Sequence, residues 1–212
     1  MPSRIRQPER NPNRSMFAVT LLLASLLVHS AVAAEDDVPA SAAPERHGSI
    51  FADPAGLLLF GPRIGIEAGS GPITGAVYGR WLDAGWLARS MFLGTGDKFA
   101  FSYGLGARGR YYFSDGEAGA NLGLAVEYLH TRIENDVDRT ATISQYLVPY
   151  VEGGYRVGLG QFYAGLAAGV GYAFRLSGTV ENLPGGSAAN RYEANNESTF
   201  YATGSLEIGV YF

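Results

Sequence analysis

From about residue 54 to Phe212 the chain alternates apolar with small or polar residues over long stretches, and few folds accept that pattern. Successive side chains of a strand point to opposite faces, so period-two alternation gives one greasy face and one different face. Phe99 to Phe113 is the clearest case. Phe99, Phe101, Tyr103, Leu105, Ala107, Tyr111 and Phe113 fall on one side, and Ser102, Gly104, Gly106, Arg108 and Arg110 on the other. Ala120–Thr131 and Gln161–Leu176 repeat it, the second with Phe162, Leu166, Val170, Tyr172 and Phe174 opposed to Gly165, Gly169, Gly171 and Arg175. These runs exceed the ~5–6 residues of an ordinary globular strand and suit a tilted strand that crosses a bilayer, which needs ~9–11. The last residues conform: Leu206, Ile208, Val210 and Phe212 share one face.

The opposite end reads as an export signal. Arg4, Arg6, Arg10 and Arg14 precede an apolar run from Met16 to Val28, and Ala31-Val32-Ala33-Ala34 follows as a small-x-small cleavage pattern. The apolar run is shorter than the ~20 residues of a membrane span. Residues 1–33 are therefore expected to be a signal peptide, and the acidic, Pro- and Ala-containing residues 34–53 a flexible periplasmic leader. Loss of residues 1–33 takes four Arg and Glu9 with it and leaves 12 basic and 19 acidic residues, net −7, a sign that disfavours nucleic acid. With no cysteine, neither a disulfide framework nor a thiolate metal site is available.

Nowhere after residue 33 do 18 apolar residues run together, so a helical span is excluded. A backbone in lipid must satisfy its own polar groups, which leaves a closed barrel as the membrane-compatible choice. Breakers divide the chain into eight strands near 57–68, 73–81, 86–93, 99–113, 120–134, 143–157, 161–181 and 198–212. With the first strand running outward, the outer loops are 69–72, 94–98, 135–142 and 182–198, and the inner turns 82–85, 114–119 and 158–160. Pro149 removes a ladder donor, so a bulge or irregular hydrogen bond is expected near it, with the facing of Tyr146 and Val148 switched relative to Val151 and Tyr155. Pro62 raises the same question.

Placing the apolar face outward sends Arg63, Glu67, Arg80, Arg89, Arg108, Arg110, Glu127, Glu152, Arg156, Arg175 and Glu207 inward, together with Tyr78, Tyr112, Tyr163 and Tyr201. The inward cations are all Arg, whose planar fork suits buried carboxylates. Eight strands leave room only for side chains. A plugged lumen is thus expected, with Arg exceeding Glu by seven to four, and that surplus motivates a narrow anion channel as an alternative. Aromatics near strand ends, Trp81, Trp86, Phe92, Phe99, Phe113, Tyr128, Phe162, Phe174, Phe200 and Phe212, read as interfacial girdles.

Catalytic signals are thin. His130 is the one histidine within the strands, and Ser144, His130 and Glu134 can be drawn as a triad, but no local signature supports it. Glu134, Asp136 and Asp138 form a loose acidic group without the spacing of a Ca²⁺ loop. No catalytic residue, metal or cofactor is expected. A soluble lipocalin-like cup is a further alternative, and it would carry its apolar residues inside.

The eight alternating strands, the signal peptide and the Leu206–Phe212 pattern together resemble the small outer-membrane barrels of the OmpA-like and OmpX-like class, over roughly residues 54–212. The resemblance implies an all-β, eight-stranded antiparallel up-and-down transmembrane β-barrel in the Gram-negative outer membrane. It implies that Leu206, Ile208, Val210 and Phe212 form the C-terminal signal shown transiently to the barrel-assembly machinery. It also implies a monomer in contact with outer-membrane lipid and lipopolysaccharide, holding loops 135–142 and 182–198 at the cell surface. A lipid A- or phospholipid-modifying enzyme using His130 is the enzymatic alternative. No peptidoglycan-binding domain follows the barrel, so a cell-wall tether is not implied.

Overall fold

The structure is a computed structural model describing residues 48–84, 93, 96–114, 118–185 and 199–212. The expected signal peptide, most of the expected leader, Arg89 and nearly all of the expected strand 86–93 lie outside these residues. The described chain is all-β and antiparallel: β1 (Gly48–Asp53), β2 (Arg63–Ser70), β3 (Ile73–Trp81), β4 (Asp97–Phe99), β5 (Tyr103–Tyr112), β6 (Gly119–Asn135), β7 (Thr140–Leu159), β8 (Phe162–Asn182) and β9 (Thr199–Tyr211).

The sheet closes on itself. Tyr211 on β9 lies opposite Ser49, Ser49 opposite Glu67, Glu67 opposite Ala76, and Ala76 opposite Arg108. Arg108 then lies opposite Ala125, Ala125 opposite Tyr150, Tyr150 opposite Gly171, and Gly171 opposite Tyr201, back on β9. The circuit crosses eight strands and returns ten residues along β9, from 211 to 201. A stagger of that size tilts the strands by roughly 40°. The short β4 stands outside the ring and pairs only with Ile133–Asn135 at the end of β6.

Ring connectivity puts Gly48, Phe212, the turns at 71–72 and 160–161, the end of β5 and the start of β6 on one rim, called lower here. The connections 54–62 and 136–139, the ends of β3 and β8 and the starts of β5 and β9 lie on the upper rim. Glycine makes the tight lower turns possible, since Gly71 and Gly160 adopt φ of +59° and +68°. Strands β6, β7 and β8 rise above their neighbours, because β1, β2 and β3 stop after six to nine residues and these three run for 17 to 21.

Eight ring strands match the expected number, but their membership differs. Gly48–Asp53, expected to be leader, is the first ring strand, pairing with β2 on one side and β9 on the other. The expected strand 57–68 begins instead as a 3-10 turn, Pro54–Leu57, and becomes β2 only at Arg63. Inserting β1 reverses the rims of the first hairpins: 69–72 turns at the lower rim with Gly48 and Phe212, and 82–84 leaves from the upper rim. Of the expected outer loops 94–98, 135–142 and 182–198, the described residues 96–98, 135–142 and 182–185 share the upper rim; the others lie outside the described residues.

Irregularity occurs near Pro149, though not as a switch on its own strand. Val148 and Pro149 drop out of the β7–β8 ladder, and the register shift lies between Gln145 and Tyr146. The extra residue belongs to β8, because Tyr146 faces Arg175 and Gln145 faces Ser177, which leaves Leu176 over. Facing on β7 therefore does not switch: Val148 and Tyr150 are buried and Val151 is exposed.

The two faces differ completely. Outside, Ile50, Ile64, Ile66, Val77, Leu105, Leu122, Leu124, Val126, Leu147, Val151, Leu166, Val170, Ile208 and Val210 are exposed, on every ring strand. Trp81, Phe113, Phe162, Phe174, Phe200 and Phe212 are exposed toward the rims. Inside lie charges and tyrosines.

Candidate functional site

Within the ring, three tyrosines each lie across the sheet from a glycine: Tyr78 opposite Gly106, Tyr150 opposite Gly171, and Tyr163 opposite Gly209. A Cβ on Gly106 or Gly209 would run into the ring of the facing tyrosine, and one on Gly171 into the Pro149 carbonyl and the Tyr150 Cβ. Gly106 and Gly209 thus let aromatic rings lie flat along a narrow interior. Tyr78 and Tyr150 share a hydrogen bond between their hydroxyls at 2.6 Å.

The charges fill what the rings leave. At the centre Arg108 binds Glu207 through both terminal nitrogens, with Nη2–Oε2 at 2.9 Å, and reaches Glu67 at 3.2 Å. Arg110 donates from Nε to Glu152 at 2.6 Å and from Nη1 to Glu207 at 2.8 Å. Arg156 closes the other side on Glu67 at 2.6 Å and lies over the rings of Tyr163 and Tyr112, at 4.0 and 5.1 Å from their centroids. Arg108 likewise lies 4.4 Å from the centroid of Phe51. Nearer the upper rim, Arg80 pairs with Glu127 at 2.8 Å. Alternation delivers these residues to one face. The ten-residue stagger sets side chains from β2, β5, β7 and β9 at one level.

Of the residues expected inside, Arg63, Glu67, Arg80, Arg108, Arg110, Glu127, Glu152, Arg156 and Glu207 are brought together and buried. Arg175 is not among them: it lies at the upper rim, where it donates to Ser144 Oγ and to the Ser177 carbonyl, both at 3.3 Å. Arg89 is outside the described residues. One member was missed. Asp53, assigned by sequence to the leader, is 1% exposed and accepts from Arg63 Nε at 3.1 Å. Its other oxygen accepts from the backbone N–H of Gly56 and of Leu206, at 3.2 and 3.1 Å. Asp53 before a proline and a helical turn is a capping signature that could have revealed it.

Counting Asp53 changes the balance. Among the described residues the buried arginines are 63, 80, 108, 110 and 156, and the buried acids are Asp53, Glu67, Glu127, Glu152 and Glu207. The expected excess of arginine is replaced by parity. Beside the Arg80–Glu127 pair packs a buried apolar cluster of Leu82, Ala125, Leu129, Val148, Tyr150 and Ala173, with Tyr146 and Tyr201 against it.

The triad drawn from sequence is not assembled. Ser144 is buried and lies opposite Thr131, so His130, one residue away on β6, points to the other face. There His130 stacks on Tyr103, ring centroids 5.1 Å apart. Glu134 is held by Arg132 at 3.1 Å, and Arg132 also reaches Glu181 at 3.2 Å. Lys98 joins the same outer collar, donating to Asp136 at 2.9 Å, and that hydrogen bond holds its ammonium above the ordinary lysine range. Among the described residues, no three His, Cys, Asp or Glu side chains are grouped to hold a metal. The exterior face carrying Leu206, Ile208, Val210 and Phe212 is half-exposed to exposed along its length.

No family model matches this chain, and neither a curated protein nor a solved structure does.

Proposed function

We propose that this protein is an integral outer-membrane β-barrel: a non-enzymatic, monomeric cylinder with a side-chain-filled lumen that anchors upper-rim loops at the cell surface. One observation carries the reading. The exterior of the ring is apolar on every strand while the interior, among the described residues, holds ten buried charged side chains. In water that arrangement would leave apolar surface far beyond the few hundred Å² a soluble monomer shows. In hydrocarbon it is favourable, and a closed sheet leaves few backbone groups unpaired. It is also the reverse of a lipocalin-like cup.

Orientation follows from the rims. The short turns and both ends of the ring belong to the periplasmic side, and the long connections to the outside. Residues 1–33 serve export, and the terminal Leu206, Ile208, Val210 and Phe212 are read by the assembly machinery. The aromatic rims and the Lys98–Arg132 collar meet lipopolysaccharide headgroups. Charge parity among the described buried residues and the side chains packed around them support a filled lumen over an anion channel.

Cell fractionation with an epitope inserted after Gly185 tests compartment and orientation together. The expected result is label on intact cells, with the protein in the outer-membrane fraction and folded only in detergent or lipid. Recovery in the soluble periplasm, or an epitope accessible only after lysis, would overturn the reading. In planar bilayers the purified protein is expected to give no conductance steps.

A further inference from the structure

The exterior of the ring is not evenly covered. Across β2, β3, β5 and β6 it is hollowed into a groove of about 620 Å³, within the ~300–1,000 Å³ of ligand pockets. Gly79 and Ala107 are the small outward residues of its lining, and they leave the hollow between Ile64, Leu105, Val126 and Tyr128. The fold itself does not ask for glycine at 79. A Cβ there would come no nearer than 3.9 Å to its neighbours, whereas one on Gly106 would strike Tyr78. Packing inside the ring therefore does not account for the hollow.

Aromatic rings border the groove on its upper side. One outward residue further along each strand lie Trp81, Tyr103 and His130, in register across β3, β5 and β6. Tyr103 and His130 stack with their planes 24° apart, and Phe101 and Tyr128 lie against Tyr103, at 5.4 and 6.5 Å between ring centroids. Trp81 and Phe101 are each more than half exposed. The next outward residue up β6 is Arg132, and beyond it Glu134 stands opposite Lys98. From Val126 to Arg132 the strand rises roughly 20 Å, and at a tilt of roughly 40° that spans about 15 Å of depth, one leaflet of hydrocarbon.

Groove, ring stack and cation thus follow one another in the order of acyl chain, sugar and phosphate. We infer that they form one site for a phosphorylated glycolipid of the outer leaflet, with an acyl chain over Gly79, a sugar face on the Tyr103–His130 stack and a phosphate on Arg132. The C–H face of a sugar is weakly positive and meets the negative face of an aromatic ring. Arg132 is held by Glu134 and Glu181, but these pairs are part-exposed and of a kind that contributes little. A phosphate offers the guanidinium a stronger, bidentate partner, and Glu134 keeps Lys98 at 3.8 Å. A phospholipid fits less well, since it has no sugar ring to cover the stack. The inference rests on the membrane reading above and names the ligand of its upper collar.

Native mass spectrometry of the detergent-folded protein tests it, with bis-phosphorylated lipid A, dephosphorylated lipid A and phosphatidylglycerol as probes. Folding of each variant is checked by gel migration without heating. One lipid A per barrel is expected to survive removal of the micelle. Gly79→Leu fills the groove and is expected to cut retention about tenfold, with Ala107→Leu as the second variant should the first not fold. Arg132→Gln is expected to cut retention about fivefold for the phosphorylated form and to leave the dephosphorylated form unchanged. Gly75→Leu, outward on the same strand but outside the groove, is expected to change nothing. Undiminished retention by the groove-filled variants, or phosphatidylglycerol held as firmly as lipid A, would overturn the site and leave the membrane reading standing. So would an Arg132→Gln loss that ignores the phosphates. A protein that stays folded and soluble once detergent is withdrawn would overturn both.

Discussion

Asp53 shows how much one side chain can organise here. Its two oxygens join β2, the helical turn and β9, and it balances Arg63. Replacing it by alanine leaves a buried guanidinium short of its partner, a change that typically costs ~3–5 kcal/mol. Asp53→Ala is expected to lower the urea midpoint of the detergent-folded protein accordingly. Asp53→Asn, which keeps an acceptor for the Leu206 amide, is expected to lose less. Glycines give a second contrast. Gly106→Ala drives a methyl into Tyr78 and is expected to cost ~1–3 kcal/mol in the same measurement. Gly75→Ala, on the exterior with only the Arg108 carbonyl at 4.0 Å, is expected to change stability by less than ~0.5 kcal/mol. At this scale the alternation made nine of the ten buried charged side chains legible, because strand parity alone fixes which way they point. Parity does not reach Asp53, since it ends a strand too short to show a period, and only its capping position before Pro54 marks it. Arg175 keeps the inward side that parity gives it, but parity says nothing of height, and the ring's upper rim sets it between Ser144 and Ser177.

Strands differ in how firmly they are held. β1 has four register pairs with β9 and six with β2, whereas β7 and β8 share eighteen. Amide exchange in micelles is expected to be faster at Phe51 and Ala52 than at Val151 and Val170, since local opening follows the extent of pairing. Equal protection across these four amides would show that the ring opens only as a whole. Why β1 escaped sequence reading is physical. Gly48-Ser49-Ile50-Phe51-Ala52-Asp53 turns Phe51 inward beneath Arg108, so its aromatic lies on the face that elsewhere carries polar or small groups. The run Leu57-Leu58-Leu59-Phe60 at the head of the expected strand 57–68 is apolar but has no alternation, and the Pro54 and Gly56 before it favour a turn. Pro149 was correctly marked as a site of irregularity. The ladder absorbed it by skipping two residues and placing the surplus residue, Leu176, on the partner strand. That choice is invisible in β7 alone.

Closure is a property of the whole molecule, and only part of it was legible. The expected count of eight coincides with the ring, yet Gly48–Asp53 is not among the expected strands and nearly all of 86–93 lies outside the described residues. The ten-residue stagger is not legible, because it needs the pairing of the first and last strands, such as Ser49 with Tyr211. Inverted polarity, greasy outside and charged within, was legible from end to end because it needs only parity and one assumption about which face meets lipid. The ring also brings residue 212 back to residue 48: the Phe212 amide donates to the Gly48 carbonyl at 3.0 Å. A short linker could therefore splice Phe212 to Gly48, with the chain cut anew after Gly185. Such a circular permutant is expected to refold in detergent to the same compact form, since every pairing survives. Geometry treats this cylinder as a loop without a starting point.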